Sequence, residues 1–310
     1  MRTIPQRPWH LYPVLGALVL VLLIYGSRSP RTAADGESSR RNAPAMHLTS
    51  PEVNESSGLA KSNRQPGLFW THNDSGDSAR LFAFDDQGRA SGVCTLADVD
   101  AIDAEDMASF VQDGVARLVF ADVGDNLSRR QQIRLYFFDE PDPRDESVIR
   151  DYQRLDVVYP DGARDCEALA VDVAAGLVTL VSKSLLPLAT VHQLDLPPRK
   201  SGRELNIDGQ PLTLRPVGRL AVPLVTGMDR DERSGEMVVI NYLQLFRFPA
   251  AADGRWWQGT PRTTELPRWK QIEAVAADHQ GRAWITSEGS PAPWGSVDES
   301  PTVDANAPAR

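Results

Sequence analysis

Five times between residues 57 and 276 the chain repeats one short pattern. The copies are Ser57-Gly58-Leu59-Ala60, Glu105-Asp106-Met107-Ala108, Glu167-Ala168-Leu169-Ala170, Thr226-Gly227-Met228-Asp229 and Glu273-Ala274-Val275-Ala276. Each is a polar or small residue, a short apolar step, then a small or acidic residue. Their fourth residues fall at 60, 108, 170, 229 and 276, so the spacings are 48, 62, 59 and 47. A period near ~40–50 residues marks a propeller or solenoid, in which each repeat buries its apolar face only against its neighbours.

The rest of each repeat agrees. A β-rich run follows every motif: Leu68–Thr71, Leu118–Phe120, Leu177–Val181, Met237–Ile240 and Ala283–Thr286. Four repeats show a third run (Leu81–Phe84, Arg134–Phe138, Val191–Leu194, Leu245–Phe248), and more polar fourth runs such as 152–158 and 212–220 precede the next motif. Short strands bounded by Gly, Pro, Asn and Asp make an all-β fold, and four per repeat around a channel make a β-propeller of four-stranded antiparallel blades. Five repeats are recognisable and six blades are possible. The fifth lacks clear third and fourth strands, and residues 45–49 can close it as the N-terminal strand. A β-sandwich gives no reason for one motif to recur five times.

The ends differ from the middle. Residues 11–25 read LYPVLGALVLVLLIY without a charge, close to the shortest helix that spans a bilayer and followed by a poor cleavage site in Gly26-Ser27-Arg28-Ser29. The expected organisation is a signal anchor over 1–26, a flexible linker over 27–44, a propeller over 45–290 and a disordered tail over 291–310. The propeller is expected at a membrane, facing the periplasm or cell exterior. Cys94 and Cys166 fall on strands two blades apart, too far to bridge, so two buried free thiols are expected. The net charge of -9 excludes a basic nucleic-acid face.

Chemistry concentrates at one end of the channel. In an antiparallel blade, the loop entering the innermost strand and the loop leaving the second strand emerge on one face. The entry positions are Ser57, Glu105, Glu167, Thr226 and Glu273, and the exit positions are Asn73, Asp122, Lys183, Asn241 and Glu288. Only Lys183 is cationic. Two loops are densest in acids: His72 to Asp77, with Asp74, and 98–126, with Asp106, Asp122, Asp125 and Asn126. Residues 98–126 carry eight carboxylates against one base, Arg117. Converging carboxylates repel unless a cation lies among them, and hard oxygen ligands suit calcium. A divalent cation at the mouth is therefore expected. Asp74, Asp106, Asp122, Asp125, Asn126, Lys183 and Glu288 are expected around a ligand. The same Asp and Asn residues are also ordinary turn formers. His72 can serve as a general base with Asp74 or Asp106 as its orienter, or as a structural histidine. Trp70, Trp256, Trp257 and Trp284 read as packing residues. No hydrolase elbow, zinc-protease, P-loop or dinucleotide fingerprint is present in the sequence.

The runs Glu55-Ser56-Ser57-Gly58-Leu59-Ala60, Asn73-Asp74-Ser75-Gly76, Asp103-Ala104-Glu105-Asp106-Met107-Ala108 and Asp122-Val123-Gly124-Asp125-Asn126 resemble an uncharacterised set of secreted or lipid-anchored bacterial propellers. That set lies near the phytase-like, esterase-like and regucalcin-type propellers. The resemblance is carried by the first two repeats, to about Glu140. It implies six blades and a calcium or similar ion on Glu, Asn and Asp side chains, at Glu105, Glu167, Glu273, Asn73 and Asn241. Ser57, Thr226 and Lys183 depart from that ligand set. Two functions of different class follow: a cation-dependent hydrolase of esters, lactones or phosphate esters, or a non-catalytic interaction platform of the cell envelope, its small-molecule or protein ligand unspecified.

Overall fold

The computed structural model describes residues 46–199 and 209–297. A two-residue strand, β1 (Met46–His47), comes first. Blade 1 is β2 (Ser56–Lys61), β3 (Leu68–Asn73), β4 (Arg80–Asp85) and β5 (Ala90–Leu96). Blade 2 is β6 (Ala104–Gln112), β7 (Val115–Asp122), β8 (Ile133–Asp139) and, after a detour through β9 (Glu146–Ile149), β10 (Gln153–Val158). Blade 3 is β11 (Cys166–Asp172), β12 (Leu177–Ser182), β13 (Ala189–Asp195) and, after β14 (Leu212–Thr213), β15 (Arg215–Leu220). Blade 4 is β16 (Val225–Arg230), β17 (Met237–Asn241), β18 (Gln244–Phe248) and β19 (Arg262–Glu265). Blade 5 is β20 (Ile272–Ala277), β21 (Ala283–Ser287), β22 (Pro293–Val297) and β1.

The fold is thus a five-bladed propeller, one blade fewer than the resemblance implies. The inner strands β2, β6, β11, β16 and β20 neighbour one another in sequence order, and β20 returns to β2. The ring closes as the sequence suggests, with β1 supplying the fourth strand of blade 5: Met46 pairs with Trp294 and His47 with Pro293. The boundary at 290 needs correction. Residues 293–297, expected in a disordered tail, form the third strand of blade 5, because Trp294 is fully buried and stacks on Trp284 at 4.7 Å. The expected anchor (1–26) and linker (27–44) and residues 298–310 lie outside the described residues. Among the described residues no helix is long and apolar enough to cross a membrane.

The two long repeat spacings have a structural cause. The detours of blades 2 and 3 each send a short strand back to the preceding blade: β9 pairs in parallel with β5, and β14 with β10. Each covers an outer edge that would otherwise expose unpaired backbone groups.

Inner strands are crowded on both faces, which accounts for the small residues in the motif. A Cβ on Gly58 would lie 2.1 Å from His72 Nε2 and 2.9 Å from the Met107 backbone nitrogen. Larger side chains fill the spaces between blades, where Trp70, Phe110, Phe120 and Phe137 are buried. Trp256, Trp257 and Trp284 are packing residues, as expected. Cys94 and Cys166 are free and buried, and burial pushes both thiols up to about 12.

A carboxylate channel mouth

One irregularity recurs in all five blades at the same place. The register between first and second strands slips at 56/58, 104/106, 166/168, 225/227 and 272/274. The extra residue in each bulge is Ser57, Glu105, Glu167, Thr226 or Glu273, the five entry positions. A bulge leaves its residue out of the ladder and re-aims its side chain. The repeated motif is therefore a repeated bulge, and its polar first residue is freed from the alternation of the strand.

The five bulge residues divide by chemistry. Ser57 Oγ donates to the Glu105 carbonyl at 3.0 Å, and Thr226 Oγ1 donates to the Ile272 carbonyl at 2.9 Å. Each hydroxyl ties its blade to the next inner strand. The three glutamates place carboxyl groups there instead. They are nonetheless nearly inaccessible, with 3% of Glu105, 4% of Glu167 and 7% of Glu273 exposed.

Around them the mouth gathers more acids than the entry positions supply. Ligand oxygens of Asp74, Asp103 and Glu105 lie within 4.8 Å of one another, and so do those of Glu105, Asp165 and Glu167. Glu105 belongs to both triads. Burial, then the charges of Glu167, Asp74 and Asp103, hold its carboxyl well above the usual range. Burial likewise pushes Glu167 up to about 8 against the opposing pull of Lys183. Asp103 rises to about 7 through burial and the charges of Asp74 and Asp165, and Asp74 to about 6. Glu273 is held well above its usual value by burial and by Glu167 and Glu288. Glu167 Oε1 accepts from Lys183 Nζ, while its buried Oε2 has no partner. Lys183 also lies over the Tyr242 ring at 5.3 Å. Burial works against its ammonium, but Glu167, Tyr242 and the surrounding glutamates hold it well above the usual lysine value.

Backbone at the mouth makes room for these groups. A Cβ on Gly124 would lie 2.5 Å from Glu105 Oε1 and 2.6 Å from the Asp103 carboxyl. Only glycine leaves both carboxylates where they are.

Several expected site residues make other contacts. The Asn73 and Asn241 side chains bond loop backbone. Asn73 Oδ1 accepts from the amides of Asn54 and Glu55, and its Nδ2 donates to the Glu52 carbonyl and to Asp77. Asn241 Oδ1 accepts from the amides of Leu243 and Gln244, and its Nδ2 donates to the Pro223 carbonyl. Asp122 accepts from the Asp103 amide and pairs with Arg130 at 2.8 Å. Asp125 caps the amides of Arg129 and Arg130, and its own amide donates to Asp165 Oδ1 at 3.0 Å. Asp106 points away from the channel and accepts from the amides of Met107 and, in the next blade, Leu169 at 2.6 Å. Asn126 is exposed on its loop. Glu288 lies at the rim with Gln271 and Lys270. His72 is structural: its ring is buried edge-on against Phe120, Nδ1 sits 2.8 Å from the Asn73 carbonyl, and burial lowers its pKa to about 4.

Asp165 and Tyr242 lie at the mouth without a sequence expectation to place them there, and Asp103 belongs to the acidic run 98–126 and to the motif over 103–108. The signal for the two aspartates is the pair Asp103-x-Glu105 and Asp165-x-Glu167, with an acid two residues before the bulge in consecutive blades.

No family model and no curated protein sequence matches the chain. Among solved structures, it is similar to a gluconolactonase from Xanthomonas campestris (16% identity over 86% of this chain and 94% of that one, TM-score 0.41). It is also similar to a glucose dehydrogenase (12%, covering 83% and 100%, TM-score 0.45) and to the PQQ-bound aldose sugar dehydrogenase of Streptomyces coelicolor (12%, covering 82% and 96%, TM-score 0.42).

Proposed function

We propose that this propeller binds a divalent cation at its channel mouth, calcium by the chemistry of the donors, and with it an oxygen-bearing ligand. One observation carries the reading: buried carboxylates from consecutive bulges converge within 4.8 Å, with a single ammonium paired among them. Carboxylates this close hold one another's protons unless positive charge answers them, and an all-oxygen donor set fits a hard cation. Asp74, Asp103 and Glu105 would hold it, with Asp165 and Glu167 beside them around Lys183.

A divalent ion held there would supply positive charge beside an ester, lactone or phosphate oxygen. The chain's own residues supply the rest. Asp103 lies with Asp74 and Glu105 around the point where the ion would sit, and in the cation-free chain burial and the charges of Asp74 and Asp165 hold its carboxyl above the usual range. Glu105 and Glu167 are held in place by the backbone bulges, and Tyr242 walls the site beside Lys183. The apolar run over residues 11–25 supports placement at a membrane, with the propeller in the periplasm or outside the cell.

A second reading, an envelope interaction platform, is favoured by a different observation. Ile102, Leu127, Leu185, Leu186, Leu188 and Leu243 are all exposed and all sit on loops of the mouth face, in consecutive blades. A patch rimming a polar centre suits a partner surface.

The test is a thermal melt of the full chain in EDTA, then with calcium, magnesium or manganese. A ligand that binds only the folded state raises the melting temperature. The expected result is a calcium-dependent rise that disappears in Glu105→Gln, and no rise with any ion overturns the reading. With the cation bound, turnover of an ester, lactone or phosphate ester favours the hydrolase, and none across such a panel favours the platform.

A further inference from the structure

The two triads at the mouth are chemically alike. Each has three carboxylates, each has its oxygens within 4.8 Å, and they share Glu105. They differ in what answers their charge. In the Glu105, Asp165 and Glu167 triad, the Lys183 ammonium is paired to Glu167 and acts on Glu105 as well. In the other triad, among the described residues, no lysine or arginine pairs with Asp74 or Asp103. The guanidinium that Asp103 feels is that of Arg130, already bonded to Asp122 at 2.8 Å.

Lys183 is also the residue that breaks the pattern of exit positions, where the other blades place Asn73, Asp122, Asn241 and Glu288. Its pairing leaves coordination capacity unused, because Glu167 Oε2 is buried and has no partner. An ammonium offers one positive charge and three N–H donors. A divalent ion offers twice the charge and takes ~6–8 oxygens.

We propose that the mouth takes one divalent cation, on Asp74, Asp103 and Glu105, and that Lys183 stands in place of a second one on Glu105, Asp165 and Glu167. The side chain is a tethered cation that sets the stoichiometry of the site. This rests on the reading of the mouth as a cation site. Removing the ammonium takes from Glu167 the cation it is paired with and leaves the second triad, like the first, with no lysine or arginine paired to it among the described residues.

The experiment is calcium titration calorimetry on the full chain, with native mass spectrometry as an independent count. The wild type is expected to bind one calcium, more than tenfold more weakly in Asp74→Asn. Lys183→Met is expected to bind two, and adding Asp165→Asn returns it to one. Lys183→Arg, which keeps the charge, stays at one and separates the effect from any loss of folding. Two ions in the wild type, or one ion at unchanged affinity in Lys183→Met, overturns the inference and leaves the cation reading intact. No calcium bound by the wild type overturns the cation reading itself.

Discussion

Glu105 and Asp106 are adjacent in one strand, equally buried, and opposite in their circumstances. The Asp106 carboxylate faces the seam between blades 2 and 3 and accepts two backbone amides, from Met107 and Leu169. Asp229 repeats this between blades 4 and 5, accepting from Arg230 and Ala277 at 2.8 Å. At the mouth, Glu105 accepts from Ser57 Oγ at 3.2 Å and otherwise faces Asp74, Asp103, Asp165 and Glu167. Burial raises the pKa of both residues. At the seam, fixed backbone dipoles answer the charge and the carboxylate holds blades together. At the mouth, the chain leaves the answer to Lys183 and to whatever enters.

The largest effect should come from the seam. Asp106→Ala strands two buried amide donors and should cost about 2–5 kcal/mol in urea unfolding. A cost near zero would mean the seam does not depend on this carboxylate. Glu105→Gln should do the reverse in EDTA. Relieved of like-charge repulsion, it should raise the melting temperature by a few degrees, roughly 1 kcal/mol, while abolishing the rise with calcium. Equal signs for the two neighbours would dissolve the contrast between seam and mouth.

The contrast also sets a pH dependence. Folded Asp74, Asp103 and Glu167 titrate at about 6, 7 and 8, above the ordinary carboxylate range. Between about pH 4 and 8 the cation-free folded chain holds more protons than the unfolded chain, so its stability falls as pH rises. Melting in EDTA should drop from pH 5 to pH 8, and saturating calcium should remove the drop. A flat EDTA profile would show that the mouth carboxylates are already neutralised.

Gly124→Ala should weaken calcium about tenfold by displacing Glu105 and Asp103, with less effect on unfolding than Asp106→Ala, as a calcium titration of the variant would show. The smallest effect should be that of Asn241→Asp, which keeps the acceptor oxygen for Leu243 and Gln244. Its calcium-induced rise should equal that of the wild type, and a larger rise would return Asn241 to the ligand set.

What the sequence disclosed follows the same division. The blades were legible because every inner strand must be narrow and apolar, and that need recurs five times as one motif. The closing strand at residues 46–47 followed from an incomplete last repeat. The third strand of blade 5 did not, because Pro291, Pro293 and Gly295 look like tail residues until Trp294 is seen buried between Trp284 and Phe84. At the mouth, Glu105, Glu167 and Glu273 were found because a glutamate at an inner-strand entry has no turn to make. Asn73 and Asn241 bond loop backbone, a use that a strand-end position alone does not separate from ligation. Asp165 escaped because the acid before the bulge lies in a loop, where spacing within one strand says nothing about what converges across two blades.

The central claim is that the converging carboxylates form a cation site, and anomalous diffraction from crystals of the full chain grown with manganese tests it most directly. The account predicts a single strong peak within coordination distance of Asp74, Asp103 and Glu105, with Lys183 still paired to Glu167. No peak at the mouth, with ordered manganese elsewhere or none at all, would contradict it.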